Sequence, residues 1–326
     1  HKHGDKTVNL FRIWLFLFLI VFTQLSFAAY PDRPVRIILP YAAGGGADVL
    51  TRVLAESLSK IWKQSVVVDN RPGAGATIGT DMVAKATPDG YTLLMTANTM
   101  AVSPAAYPKL PYDVIKDFAP ITMVAQSPYM LAINSNLPIQ NASDFFKLAK
   151  SQPGKLNYGS PGNGTLSHLT FELMSARSGI RSATVPYKGS NPALMAVLSG
   201  EIDFVLDTPA AVMQHVGTQR LRVLGVTSAA RSQIAPQVPS LQETGFADLD
   251  VTVWFGLLAP ANVPQEVIRK VYADVITSLN EPAVRQRLSK EGLDVVTMPP
   301  DVFANQLKNE VAKWGDIVKK ANIKFD

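Results

Sequence analysis

One pentapeptide in this chain has the outline of a catalytic turn. Tyr158-Gly159-Ser160-Pro161-Gly162 resembles a nucleophile elbow, and His168 follows it closely enough to serve as a base. The chemistry fails on two counts. Such an elbow wants a glycine where Tyr158 stands, and Pro161 carries no N–H to receive an oxyanion. Beyond the first 28 residues only His168 and His215 remain as bases, and no cysteine is present, so thiolate chemistry and disulfides are excluded. No carboxylate pair and no His/Asp/Glu group has useful spacing. No catalytic residue, metal or cofactor is expected.

What remains is main-chain chemistry. In LPYAAGGGADVLTRVLAESL, starting at Leu39, an apolar strand runs through Gly44-Gly45-Gly46 into a helix that Asp48 is placed to cap. Glycine lets the backbone approach a ligand closely, and amides at a helix start converge on an anion. This is not a nucleotide fingerprint, because Val49 stands where the third glycine would be and no Walker lysine follows. A second corner, LNYGSPGNGTLSHLTFEL from Leu156, offers Gly159, Gly162 and Gly164, with Ser160 and Thr165 as hydroxyl donors. There His168 is at least as suited to a surface or capping place as to the ligand. A third, DNRPGAGATIG from Asp69, carries Thr77, and is read equally well as a packing turn with Arg71 in an ion pair. Asp207 precedes Pro209. It either caps the next helix or projects into a cleft, where it would favour an amine or hydroxyl and repel a purely anionic group. Tyr187 and Lys188 are read as hinge or surface, and Trp254 as core.

These corners need an alternating frame. Val35 to Leu39 reads as a strand and Asp48 to Trp62 as a helix with Leu50, Val53, Leu54, Leu58 and Ile61 on one face. Further strands are expected at 65–68, 91–97, 156–158, 183–185, 202–206 and 221–226, and helices at 264–279 and 300–319. Asn141 caps a helix that stops at Pro153-Gly154, and Asn191 with Pro192 opens another. The alternation predicts α/β layers with mostly parallel sheets. The stretches 104–128 and 231–250 look loop-like. Taken as two hinge crossings, they divide the chain into one domain of 29–127 plus 251–326 and a second of 128–250. One glycine corner from each domain would then face a shared cleft that closes on a small anion.

The first residues read as an export signal. Lys6 and Arg12 precede the apolar run Ile13 to Phe22, and Ser26-Phe27-Ala28 supplies small residues for cleavage after Ala28, leaving residues 1–28 as the signal peptide. An uncleaved anchor is the rival reading, but the run falters at Thr23 and Gln24, short of the ~20 apolar residues a span needs. Periplasm is the expected location. Of the formal charge of +5, Lys2, Lys6 and Arg12 against Asp5 account for +2, so the remainder is near +3 and calls for no nucleic-acid partner.

The ordered motifs YPDRPVRIILPYAAGGGAD, VVVDNRPGAGATIG, TPDGYTLLM, LPYD, PGKLNYGSPGNGTLSHL, VPYKGSNPAL, LRVLGVTSAARS and VPSLQETG resemble the Bug family across 30–326. These are periplasmic solute receptors of tripartite tricarboxylate transporters. The resemblance implies a two-domain periplasmic-binding-protein fold of the type II Venus flytrap kind, with the ligand cleft between the domains. It also implies capture of a small organic acid and delivery to membrane permease subunits, by a monomer. Carried over, Tyr41, Ala42 and Asp48 form the first wall, with Thr77 and Ile78 from the neighbouring corner and Thr96 and Asn98 beside them. Ser160, Gly164 and Thr165 answer from the second domain, and Asp207 tunes specificity. The family commonly shows Phe-Pro-Pro where this chain has Tyr41-Ala42-Ala43, and often a glycine in place of Ala76, so the pocket shape is its own. A ligand sensor feeding a signalling partner and a serine hydrolase using Ser160 and His168 are the alternative readings.

Overall fold

The computed structural model describes residues 30–320 except 45, 108, 163, 188, 247 and 248. The expected signal peptide, Gly45 and Lys188 therefore lie outside the described residues. The first sheet takes its strands from both ends of the chain: β1 (Val35–Leu39), β2 (Val66–Asn70), β3 (Thr92–Ala97), β4 (Phe118–Pro128) and β10 (Thr252–Pro260). The second holds β5 (Met130–Asn134), β6 (Asn157–Ser160), β7 (Ala183–Pro186), β8 (Phe204–Asp207) and β9 (Leu221–Val226). Their orders are β2-β1-β3-β10-β4 and β7-β6-β8-β5-β9. In each sheet four strands run in one direction, and the fifth, reversed between two of them, is the strand that the chain enters on crossing from the other sheet. Each sheet is therefore mixed in pairing, with two of its four pairings antiparallel, while four of its five strands run in one direction, the mostly parallel arrangement expected.

Local sequence explains the elements. β1 reads as a near-continuous apolar run because both faces of a central strand are covered, and Ile37, Ile38 and Leu39 are fully buried. α1 (Gly46–Trp62) buries Leu50, Val53, Leu54 and Leu58 at helical spacing, each contributing on the order of 1.5–3 kcal/mol by removal from water. α2 (Thr77–Ala84) and α3 (Thr99–Ala106) follow β2 and β3. In the second unit α4 (Ala142–Ser151) begins where the Asn141 side chain accepts from the Asp144 N–H at 2.9 Å. There α5 (Leu166–Ser178), α6 (Ser190–Ser199) and α7 (Pro209–Val216) follow β6, β7 and β8. The chain closes with α8 (Gln265–Asn280), α9 (Pro282–Lys290) and α10 (Pro300–Lys320) around the first sheet.

The stretch 104–128 is not the loop its prolines suggest. It ends in β4, paired with β10 in antiparallel register from Phe118 opposite Pro260 to Pro128 opposite Thr252. β4 is the edge strand of its sheet, where a proline lacking an N–H removes no ladder bond on its open side. The chain crosses between sheets at Tyr129 and returns between Thr227 and Val251. The two crossings are stitched together: the Tyr129 N–H donates to Thr227 Oγ1 at 2.9 Å, the Thr227 N–H to Tyr129 O at 2.9 Å, and Thr227 Oγ1 to Val251 O at 2.7 Å. Trp254 is core, edge-on to Phe303 at 5.4 Å.

Candidate functional site

A cavity of about 730 Å³ lies between the carboxyl ends of the two sheets. The first lobe supplies the Tyr41–Gly44 loop, the start of α1 from Gly46, Asn98 and Thr99 at the start of α3, Val253 and Phe255 of β10, and Glu291. The second supplies Thr165 and Leu166, Gly189 to Pro192, Asp207 and Thr208, and the inner face of α7 through His215, while Tyr129 lies at the crossing. Five helices thus begin on this cavity: α1, α3, α5, α6 and α7. The first amides of a helix have no acceptor inside it, and each terminus acts as roughly half a positive charge. No lysine or arginine is among the described lining residues.

Magnitudes limit what the termini can do alone. Each is worth about 0.3–1 kcal/mol to a nearby anion. Micromolar binding needs about 8 kcal/mol, so direct hydrogen bonds and apolar contact must supply the rest. Val49, Leu166, Leu194, Leu206, Val253 and Phe255 provide that apolar contact.

Of the residues singled out from sequence, Tyr41, Ala42, Asn98, Thr165 and Asp207 line the cavity. The Tyr41 hydroxyl accepts from the Ala97 N–H at 3.1 Å and is hydrogen-bonded to Thr99, and burial raises its pKa. It fastens the first glycine loop to the end of β3. Asn98 is 2 % exposed, and its side-chain oxygen accepts from the Trp254 main-chain N–H at 2.6 Å. Thr165 caps α5, its Oγ1 accepting from the His168 N–H at 3.3 Å and donating to Gly162 O at 2.8 Å. The Asp207 carboxylate accepts from the Ser190 hydroxyl and from the Thr208 N–H, the latter at 2.7 Å, and burial raises its pKa.

Asp48, Thr77, Ile78, Thr96, Ser160 and Gly164 are not in the lining. Asp48 is not an N-cap but sits within the first turn of α1, its carboxylate accepting from the Gly44 N–H, Arg52 and Asn70, each at 3.0 Å. Burial alone would raise the Asp48 pKa, but those hydrogen bonds outweigh it and hold the group below the ordinary carboxylate range. It shapes the glycine loop from behind. Thr96 and Ser160 are fully buried. Thr77 and Ile78 open α2 at the neighbouring corner, with Ile78 half exposed on the outside.

The hydrolase reading fails on geometry. Ser160 Oγ donates to Gly162 O at 2.9 Å and accepts from the Gly162 N–H at 3.2 Å. His168 instead accepts from the Gly164 N–H at Nδ1 (3.2 Å), with Nε2 lying 3.6 Å from Glu172. Serine and imidazole therefore serve the loop, not each other.

Sequence reasoning missed Thr99, Ser190, Thr208 and Glu291. Ser190 and Thr208 were legible as helix-start chemistry, since Ser190 follows a glycine and Thr208 precedes Pro209. Nothing local marks Glu291, which reaches the cavity only through the chain's return from α9.

Comparison with known proteins shows the family and the fold. The profile of the family described as "Tripartite tricarboxylate transporter family receptor" matches residues 50–323. The chain belongs to this family. Protein BugT of Bordetella pertussis is 33% identical over 303 residues, covering 92% of this chain and 93% of that one. An R. palustris structure with adipate is 29% identical at a TM-score of 0.83, covering 90% of this chain and 99% of the other. MatC from Rhodopseudomonas palustris with bound malate is 29% identical at a TM-score of 0.78, covering 89% and 100%. The family member described here has the two-domain periplasmic-binding fold and is a solute receptor, not an enzyme.

Proposed function

We propose that the cleft captures a small organic acid in the periplasm and that the loaded monomer delivers it to the membrane permease subunits of a tripartite transporter. The two lobes, 29–127 with 251–326 and 128–250, close on the ligand about the stitched crossings, and the chain is exported by cleavage after Ala28. One observation carries the reading: five helix N-termini meet at one cavity whose described lining holds no lysine or arginine. Such a site suits a carboxylate gripped by main-chain amides. Ligand contacts come from Tyr41, Ala42, Asn98, Thr165 and Asp207, while Asp48, Thr96, Ser160 and Gly164 hold those contacts in place. Malate and adipate, the acids bound in the relatives above, head the set to test.

A thermal-shift panel of small mono-, di- and tricarboxylates tests this, with sugars and amines as controls. A ligand at ~100 times its Kd adds about 2.7 kcal/mol to stability. At least one carboxylate should raise Tm by several degrees while the controls do not; a panel in which only sugars or amines stabilise the protein would refute the reading.

A further inference from the structure

Besides the two chain crossings, the lobes meet at a turn that the carboxylate-receptor reading leaves unexplained. After α9 the chain makes the turn Glu291–Gly292, with Gly292 at φ +71°. The first lobe anchors this turn: Ser127 Oγ donates to Gly292 O at 2.8 Å, and the Asp294 N–H donates to Gln126 O at 2.9 Å. Its other side rests on the second lobe. A Cβ on Gly292 would lie 2.7 Å from Pro209 Cβ, 3.3 Å from Pro209 Cγ and 3.4 Å from the Ala210 nitrogen. Pro209 is the first residue of α7, the helix whose opening turn lines the cavity, and Glu291 lines it from the opposite side of the contact.

We infer that Gly292 is a positioning residue of the cleft: its bare Cα lets the first lobe seat against the first turn of α7 and so sets the separation of the two binding walls. The inference rests on the reading of this cavity as the ligand site. The contact lies beside the pivot, because Ser127 stands two residues before the first crossing at Tyr129, and Asp207, next to α7, pairs with Met130 just after it. A steric wedge so near a pivot is amplified at the far rim. Packed interiors do not absorb a sub-van-der-Waals contact between a Cβ and a rigid proline ring without moving one wall.

The sequence has no cysteine, so spin labels at Ala43→Cys in the first lobe and Gln214→Cys in the second, exposed residues that line the cleft from the two lobes, report the distance across it without background. Gly292→Ala should lengthen that distance. Pro209→Gly in the same chain removes the opposing Cβ and Cγ and should restore it. Gly179→Ala separates steric wedging from left-handed strain, because Gly179 has φ +72° but open space around its Cβ; it should leave the distance unchanged. An unchanged distance in Gly292→Ala, or a lengthening that Pro209→Gly fails to reverse, would overturn the inference. The measurement needs no ligand, so it decides the point even if no carboxylate binds. For any acid that does bind, affinity should fall in Gly292→Ala by tenfold or more and recover in the double variant.

Discussion

Two carboxyl groups, Asp207 and Glu291, stand in the described lining of the cleft, and Asp207 is the buried one. An ionised Asp207 about 4 Å from a ligand carboxylate would cost about 4 kcal/mol at an effective dielectric of 20. Burial opposes that ionisation by raising the Asp207 pKa, against the hydrogen bonds from Ser190 and Thr208 that favour it. The sign of the stability effect follows. A carboxyl with a raised folded-state pKa stabilises the fold below the unfolded pKa and loses that contribution as pH rises through the folded value. Asp207→Asn should therefore gain Tm relative to the native protein as pH rises from 4 to 7.5. A difference that shrinks over that range would mean that the native state prefers the carboxylate. The variant should also shift ligand preference toward acids lacking an amine or hydroxyl, read from the same thermal panel. Ser160→Ala, by contrast, should abolish no ester turnover, because no turnover is expected. Its cost should be about 1 kcal/mol of stability from the lost hydroxyl bonds within the loop. At this scale the sequence exposed polar residues at strand ends, such as Asn98, Thr165 and Asp207. It could not show which way a carboxylate turns. Asp48 and Asp207 both stand beside helix starts, yet one faces Arg52 and the other the cavity.

The working parts of the site are helix starts rather than side chains. Gly46 opens α1, and a Cβ added there meets nothing within 4 Å. Gly46→Val should therefore fold normally, gaining a few tenths of a kcal/mol in helix propensity. It should weaken carboxylate binding by tenfold or more, about 1.4 kcal/mol. Calorimetric titration alongside a melting curve separates the two effects, and normal binding in a normally folded variant would place the ligand elsewhere. Thr165→Ala removes the cap of α5 at about 1 kcal/mol of stability, and should weaken binding in parallel because the capped turn lines the cleft. Strand–glycine–helix corners were legible because glycine, a cap and apolar periodicity are all local signals. β4 was not: its prolines mimic a loop, and only its edge position beside β10 makes them tolerable. The reversal of β5 and β10 is equally invisible locally, since it depends on where the chain has just come from.

At the scale of the whole molecule the chain forms two similar sheets and ties its crossings together through Tyr129, Thr227 and Val251. Sequence periodicity conveyed the α/β class, and the ordered motifs conveyed the family. The turn bearing Glu291 and Gly292 arises only when the C-terminal helices fold back against β4. Closure about the crossings should reduce the radius of gyration on addition of a stabilising acid, measured by solution scattering. The central claim is that main-chain amides from both lobes hold a carboxylate without a guanidinium. It is tested most directly by a crystal structure with the acid that gives the largest thermal shift. The account predicts carboxylate oxygens within about 2.7–3.1 Å of first-turn amides of helices from both lobes, inside the cavity lined by Tyr41 and Asp207. A ligand seated outside that cavity, or clasped chiefly by arginine or lysine side chains, would contradict it.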